Sequence, residues 1–143
     1  MLFPSLFNLH ADALLADGLT IIGSGRSALS RDEFHDQLRA ALAEHLPEDR
    51  LTADTLDQFL QRVDYCAVDA AAGTGYDELA AQLGTRLNRP IGVYLSTPPS
   101  MFGPIASGLA AANIACAECR IAMEKPIGHD LKSSLQVNAE VAS

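Results

Sequence analysis

Four short apolar runs, LTIIG, DYCAVD, IGVYLS and RIAM, alternate with longer segments whose apolar residues fall at helical spacing. Strands that follow one another through helices pair in parallel, because a parallel connection must cross the sheet and a helix is the usual crossover. The alternation therefore predicts an α/β fold, with a parallel sheet buried between helices on both faces. At 143 residues, with 48% hydrophobic content and no linker or low-complexity stretch, the chain is read as one domain.

Local signals refine this outline. Leu6, Leu9, Ala13 and Leu14 share a helical stripe, with Gly18 as a stop. Leu19 to Gly23 reads as a buried strand entering a glycine turn. Ser30 and Glu33 form a capping box for a helix carrying Phe34, Leu38, Ala41, Leu42 and Leu46, which Pro47 terminates. ADTLDQFLQRV continues the same crossover, and YDELAAQLGTRL is the next helix. A helix from about Ser100 to Asn113 is capped by Ser100 or Thr97. Asp130 can cap a last one over DLKSSLQVNAEVA. The first helix is rich in apolar residues, with no preceding strand to receive them.

Charge and cysteine content narrow the function. Eighteen acidic against ten basic residues give a formal charge of -8, which argues against a nucleic-acid surface but leaves room for a small anionic ligand. Cys66, Cys116 and Cys119 make no disulfide framework, and the single CAEC pair has no second pair to complete a zinc site. They read as packing or surface thiols of a reducing, cytoplasmic compartment. No stretch approaches membrane-spanning length. His10, His35, His45 and His129 lack ligand spacing and read as surface or helix-edge residues.

Ligands of open α/β sheets collect at the carboxyl ends of the strands. That rule selects Gly23 to Arg26, Asp69 and Ala70, Ser96 to Ser100, and Glu124 to Gly128. In a dinucleotide-binding sheet an acidic residue at the ribose favours a free 2′-hydroxyl, whereas an arginine can pair with a 2′-phosphate. Arg26 stands in such a place, with Ser24 and Ser27 as possible hydroxyl donors. A plain surface arginine after a glycine turn is the alternative. Pro98 and Pro99 stop the third strand and preset a rigid turn. Lys125, beside Glu124, can donate to a sugar hydroxyl, a phosphate or a carboxamide, and Gly128 suits a turn. GSG lacks the third glycine of a dinucleotide fingerprint, and no phosphate loop, HExxH or GxSxG occurs. No catalytic residue and no metal ligand is picked out.

Taken in order, PSLFNLHADALLADGLTIIGSGRS, RVDYCAVDAA, YLSTPPSMFGPIASGL and IAMEKPIGHDLKSSLQVN resemble bacterial glucose-6-phosphate dehydrogenase over essentially the whole chain. PPSxF followed by EKPxG is the specific combination. The resemblance implies a Rossmann-like NAD(P)-binding domain over residues 1–143. It implies an enzyme that oxidises glucose 6-phosphate at C1 to the 6-phosphogluconolactone with hydride transfer to NADP, or sometimes NAD, at the entry of the oxidative pentose phosphate pathway. By matching residues, it assigns Arg26 to the adenosine 2′-phosphate and Asp69 with Ala70 to cofactor-contacting positions. Pro98, Pro99 and Pro126 fall in turns lining the nicotinamide and substrate cleft, and Lys125 would contact both cofactor and sugar. Family members often carry a larger apolar residue where this chain has Ala70.

That family also has a first strand with a GxxGDL pyrophosphate loop before this segment. Beyond it come an RxDHYLGKE stretch and a larger domain with the catalytic histidine and the dimer interface. Against that pattern the 143 residues are expected to be an incomplete domain, inactive alone and marginal in solution, of a full-length homo-oligomer. A sugar oxidoreductase of the glucose–fructose oxidoreductase type also carries EKP, and a non-catalytic α/β interaction protein would keep the sheet without the chemistry. Both stand as alternatives.

Overall fold

In the computed structural model, which describes residues 2–115, 119–124, 135 and 139, the chain divides into two units, Met1–Ala67 and Val68–Ser143. The first unit contains helix α1 (Leu2–Ala11), strand β1 (Ile21–Gly25), helices α2 (Arg31–His45) and α3 (Ala53–Gln61), and strand β2 (Val63–Ala67). The capping box forms as expected. Ser30 Oγ accepts from the Glu33 N–H at 3.3 Å, and the Glu33 carboxylate accepts from the Ser30 N–H at 2.8 Å. Thr52 caps α3 by accepting from the Thr55 N–H. Each such cap is worth about 1 kcal/mol. β1 and β2 pair in parallel, from Ile21 opposite Val63 to Gly25 opposite Ala67.

Two boundaries move from their predicted places. α1 stops at Ala11 rather than near Gly18, because the chain turns through Ala13 at φ 56°. The Leu14 N–H then donates to Leu9 O at 2.7 Å and the Ala13 N–H to His10 O at 3.0 Å, a left-handed helix cap made without glycine. β1 begins at Ile21 rather than Leu19, since the Leu19 N–H is spent on Ala16 O in the preceding turn, and it runs on to Gly25. None of its residues is fully buried.

The core of this unit is Phe7, Leu38, Leu42, Phe59, Leu60 and Val63. Phe7 and Phe59 are fully buried and meet edge to face at 5.4 Å, while Phe3 meets Phe34 edge-on at 5.8 Å. The apolar face of α1 is therefore received by helices α3 and α2. Truncating a ring as buried as Phe7 costs about 3–5 kcal/mol. His35 also departs from its surface reading. It is buried on α2 with Nε2 2.8 Å from Val63 O, a carbonyl that Arg31 Nε reaches at 3.3 Å while pairing with Asp64 at 2.8 Å. A backbone acceptor at the start of β2 holds the buried His35, while Arg31 reaches the same carbonyl from an exposed position.

The second unit contains α4 (Tyr76–Leu83), β3 (Gly92–Leu95), α5 (Phe102–Ala111) and β4 (Arg120–Met123). β3 and β4 pair in parallel, from Gly92 opposite Arg120 to Leu95 opposite Met123. Tyr76, Leu109 and Ile114 form its core, with the Tyr76 ring lying on Gly108. Asn113 at φ 57° ends α5 with the same cap as α1, and this turn returns Ile114 to the core.

The α/β class holds, with parallel strands joined by helical crossovers. The described strands form two two-stranded ladders, one in each unit and each closed by its own crossover. Exposure alternates along β3 and β4, so these are half-buried strands. Neither Ser100 nor Thr97 caps α5. Pro99–Met101 forms a 3-10 turn first, in which the Met101 N–H bonds to Pro98 O, and no side chain caps the helix. The Lys125 to Gly128 turn, Cys116, His129 and the Asp130 cap lie outside the described residues. Among the described residues no helix is long and apolar enough to cross a membrane, and no cluster could hold a metal ion.

Candidate cofactor site

Arg26 follows the last residue of β1 on an exposed turn. Among the described residues no hydrogen bond or ion pair engages its guanidinium, whereas Arg31, Arg39 and Arg50 are paired with Asp64, Asp57 and Asp12. A free guanidinium at the carboxyl end of a parallel strand suits a phosphate monoester, which it can grip by two parallel charge-assisted hydrogen bonds.

The backbone beneath Arg26 is fixed by its neighbours. Tyr65, opposite Gly23 in the register, extends along the sheet to the turn, where its hydroxyl lies 3.1 Å from Gly25 O and 2.7 Å from Ser27 O. Its ring rests against Phe34 of α2 at 4.7 Å. Burial holds the phenol above its usual pKa, with a smaller contribution from Cys66, so it remains a donor. On the other side of the ladder Ser24 Oγ donates to Cys66 O at 3.0 Å. Ser24 is thus spent on the fold and is not the free hydroxyl that the sequence suggested.

The glycines of GSG acquire a different purpose here. A Cβ at Gly23 would stand 2.5 Å from Phe34 Cζ, and one at Gly25 would stand 3.3 Å from the Tyr65 hydroxyl. Neither glycine has a positive φ. They clear a path for two aromatic side chains across β1, a role unrelated to cradling phosphate.

The other candidates lie in the second unit. Asp69 Oδ1 accepts from the Ala71 and Ala72 N–H groups at 2.9 and 3.1 Å, and Asp69 exchanges backbone bonds with Thr74. Its carboxylate shapes its own turn. The Ala70 side chain packs toward the Tyr76 cluster. Pro98 is exposed, at φ -56° and ψ 146°, and leads into the 3-10 turn. Glu124 accepts from the Tyr94 hydroxyl, and its own N–H reaches Leu95 O at 3.3 Å, so the chain is tied to β3 just before Lys125. This carboxylate holds the Tyr94 phenol above its usual pKa. Lys125 itself lies outside the described residues. Arg26 thus belongs to one unit, and Asp69, Ala70 and Pro98 to the other.

Two parallel strand–helix–strand units, with a guanidinium unengaged among the described residues after one strand's carboxyl end, have the arrangement of a nucleotide-binding α/β protein. The chain belongs to the family described as glucose-6-phosphate dehydrogenase, NAD binding domain, whose sequence model matches residues 1–143. It is 41% identical over 141 residues to a glucose-6-phosphate 1-dehydrogenase of Zymomonas mobilis, covering 99% of this chain and 29% of that one. It is 34% identical over 150 residues to the enzyme of the same name from Mycolicibacterium smegmatis, covering 99% and 30%. The crystal structure of glucose-6-phosphate 1-dehydrogenase from Mycobacterium avium superposes with a TM-score of 0.86 at 31% identity, over 99% of this chain and 30% of that chain. A glucose-6-phosphate dehydrogenase in complex with its substrate glucose-6-phosphate gives 0.79 at 28% identity, with the same coverage. The chain therefore spans about 30% of the length of these relatives.

Proposed function

We propose that residues 1–143 are the NADP-binding part of an enzyme that oxidises glucose 6-phosphate at C1 to 6-phosphogluconolactone. The observation that carries the cofactor choice is Arg26: an exposed guanidinium, unengaged among the described residues, on a turn braced from beneath. It would hold the adenosine 2′-phosphate, which separates NADP from NAD. The backbone at Asp69 and Ala70 and the turn at Pro98 would line the remainder of the cofactor. Lys125 would donate to both cofactor and sugar, an assignment that rests on its match to the family's EKPxG motif. Bound NADP supplies the hydride acceptor. The described side chains have binding and positioning roles, and none is assigned the proton transfer at C1.

The protein is read as cytoplasmic, and the whole enzyme as a homo-oligomer. The decisive assay is glucose-6-phosphate-dependent reduction of NADP and of NAD, followed by nicotinamide absorbance in the enzyme carrying this segment. Arg26→Ala is expected to raise KM for NADP about 10- to 100-fold, the worth of a charge-assisted hydrogen-bonded contact, and to leave KM for NAD nearly unchanged. Equal losses with both cofactors would remove Arg26 from the 2′-phosphate. Absence of sugar-phosphate-dependent turnover would overturn the activity.

A further inference from the structure

We propose that Tyr65 is a positioning residue for cofactor discrimination, acting by fixing the turn that presents Arg26 to a 2′-phosphate. The inference rests on the reading of Arg26 given above. The Tyr65 hydroxyl lies within hydrogen-bond distance of the carbonyls of Gly25 and Ser27, the residues on either side of Arg26. A three-centre contact of this kind constrains the peptide unit that enters Arg26 and the one that leaves Ser27, and so holds the turn on both sides of the arginine.

The tyrosine is well placed to act as a brace. Its backbone belongs to β2, its ring lies against Phe34, and its pKa is raised by burial, so the proton it donates is retained. Ser24 ties the preceding residue of β1 to Cys66 O from its own side chain. The strand end is therefore anchored to β2 at successive positions, while the Arg26 side chain is left exposed. Phosphate binding by a long side chain loses affinity when its backbone must also be ordered. A fixed turn removes that cost for the 2′-phosphate contact and does nothing for a ligand that lacks the phosphate. Tyr65 should therefore act on selectivity.

Titration with adenosine 2′,5′-bisphosphate and with 5′-AMP, followed by calorimetry, tests this without turnover. The wild-type protein is expected to prefer the bisphosphate, and Arg26→Ala to abolish that preference. Tyr65→Phe, which keeps the ring and removes the hydroxyl, should reduce the preference roughly three- to tenfold, the scale of one lost hydrogen bond. Gly25→Ala provides a second route, since its Cβ would crowd the Tyr65 hydroxyl at 3.3 Å, and it should reduce the preference in the same direction. Phe59→Leu, a core lesion elsewhere in this unit, should lower stability and leave the preference intact. Full preference in Tyr65→Phe with loss in Arg26→Ala overturns the role of Tyr65 and leaves Arg26 standing. An equal reduction in Phe59→Leu also overturns it, because preference would then follow stability. No preference in the wild type overturns the Arg26 reading and this one with it.

Discussion

Gly23→Ala should destabilise the protein, although the same change in a strand usually helps. Glycine in a strand interior is less favourable than alanine by roughly 0.5–1 kcal/mol, because the unfolded chain gives up more freedom. At this site the new Cβ would lie 2.5 Å from Phe34 Cζ, 2.8 Å from Cε1 and 3.3 Å from Cε2. Carbon atoms in ordinary contact lie about 3.5–4.0 Å apart, so the ring must retreat by about 1 Å. Tyr65 at 4.7 Å and Phe3 at 5.8 Å limit where it can go. Overpacking of this kind costs about 1–3 kcal/mol, leaving a net loss of roughly 0.5–2 kcal/mol after the backbone gain. Leucine lacks the offending Cε and Cζ atoms. In a Phe34→Leu background, Gly23→Ala should therefore stabilise by about 0.5–1 kcal/mol. Urea unfolding of the four proteins closes the cycle, with an expected coupling of about 1–3 kcal/mol at unchanged m. The same effect of Gly23→Ala in both backgrounds would refute the reading of GSG as a floor for the ring.

Ala13→Gly should raise the unfolding free energy by about 0.5–1 kcal/mol: left-handed backbone costs alanine about 1–2 kcal/mol, and glycine's greater unfolded freedom returns part of that; no gain by urea titration would contradict the φ of 56° at this cap. Tyr76→Phe should be neutral to stabilising, by up to about 1 kcal/mol, because the buried Tyr76 hydroxyl has no partner among the described residues and an unpaired buried hydroxyl is unfavourable; a clear loss in thermal midpoint would reveal a bond it makes. His10 gives a pH dependence: burial first, then Arg62, lowers its pKa. The unfolded chain accordingly takes up the proton first, near the ordinary histidine value of about 6.5. This contribution to stability is present above that pH and is lost as pH falls through the lower folded value. His10→Gln should flatten that part of a urea-midpoint profile, and an unchanged slope would exclude His10 as its source.

Much of the architecture was legible in local chemistry. The capping box at Ser30 and Glu33 marked the start of α2 because both partners lie within one turn and need nothing from the rest of the fold. The four apolar runs announced strands, and their helical spacers announced parallel pairing. Arg26 was legible as a candidate because residue type and position after a strand are both written in the chain. Helix ends were harder to read. Ala13 and Asn113 adopt left-handed caps that composition favours only weakly, so Gly18 drew attention that belonged to Ala13. Ser100 and Thr97 carried the right side chains for a cap, yet a 3-10 turn satisfied the backbone first.

By itself the sequence determined the class of fold and the candidate cation, since periodicity, caps and turns act over a few residues. The tertiary structure decided what surrounds that cation. Tyr65 lies 39 positions beyond Arg26 in the chain and meets its turn only because β2 pairs with β1 in one register. His35 became a buried residue for a related reason, because the Val63 carbonyl it meets is brought alongside by the packing of α2. Contacts of this kind are set by which strands pair and in what register, and no local pattern in either segment records the partner.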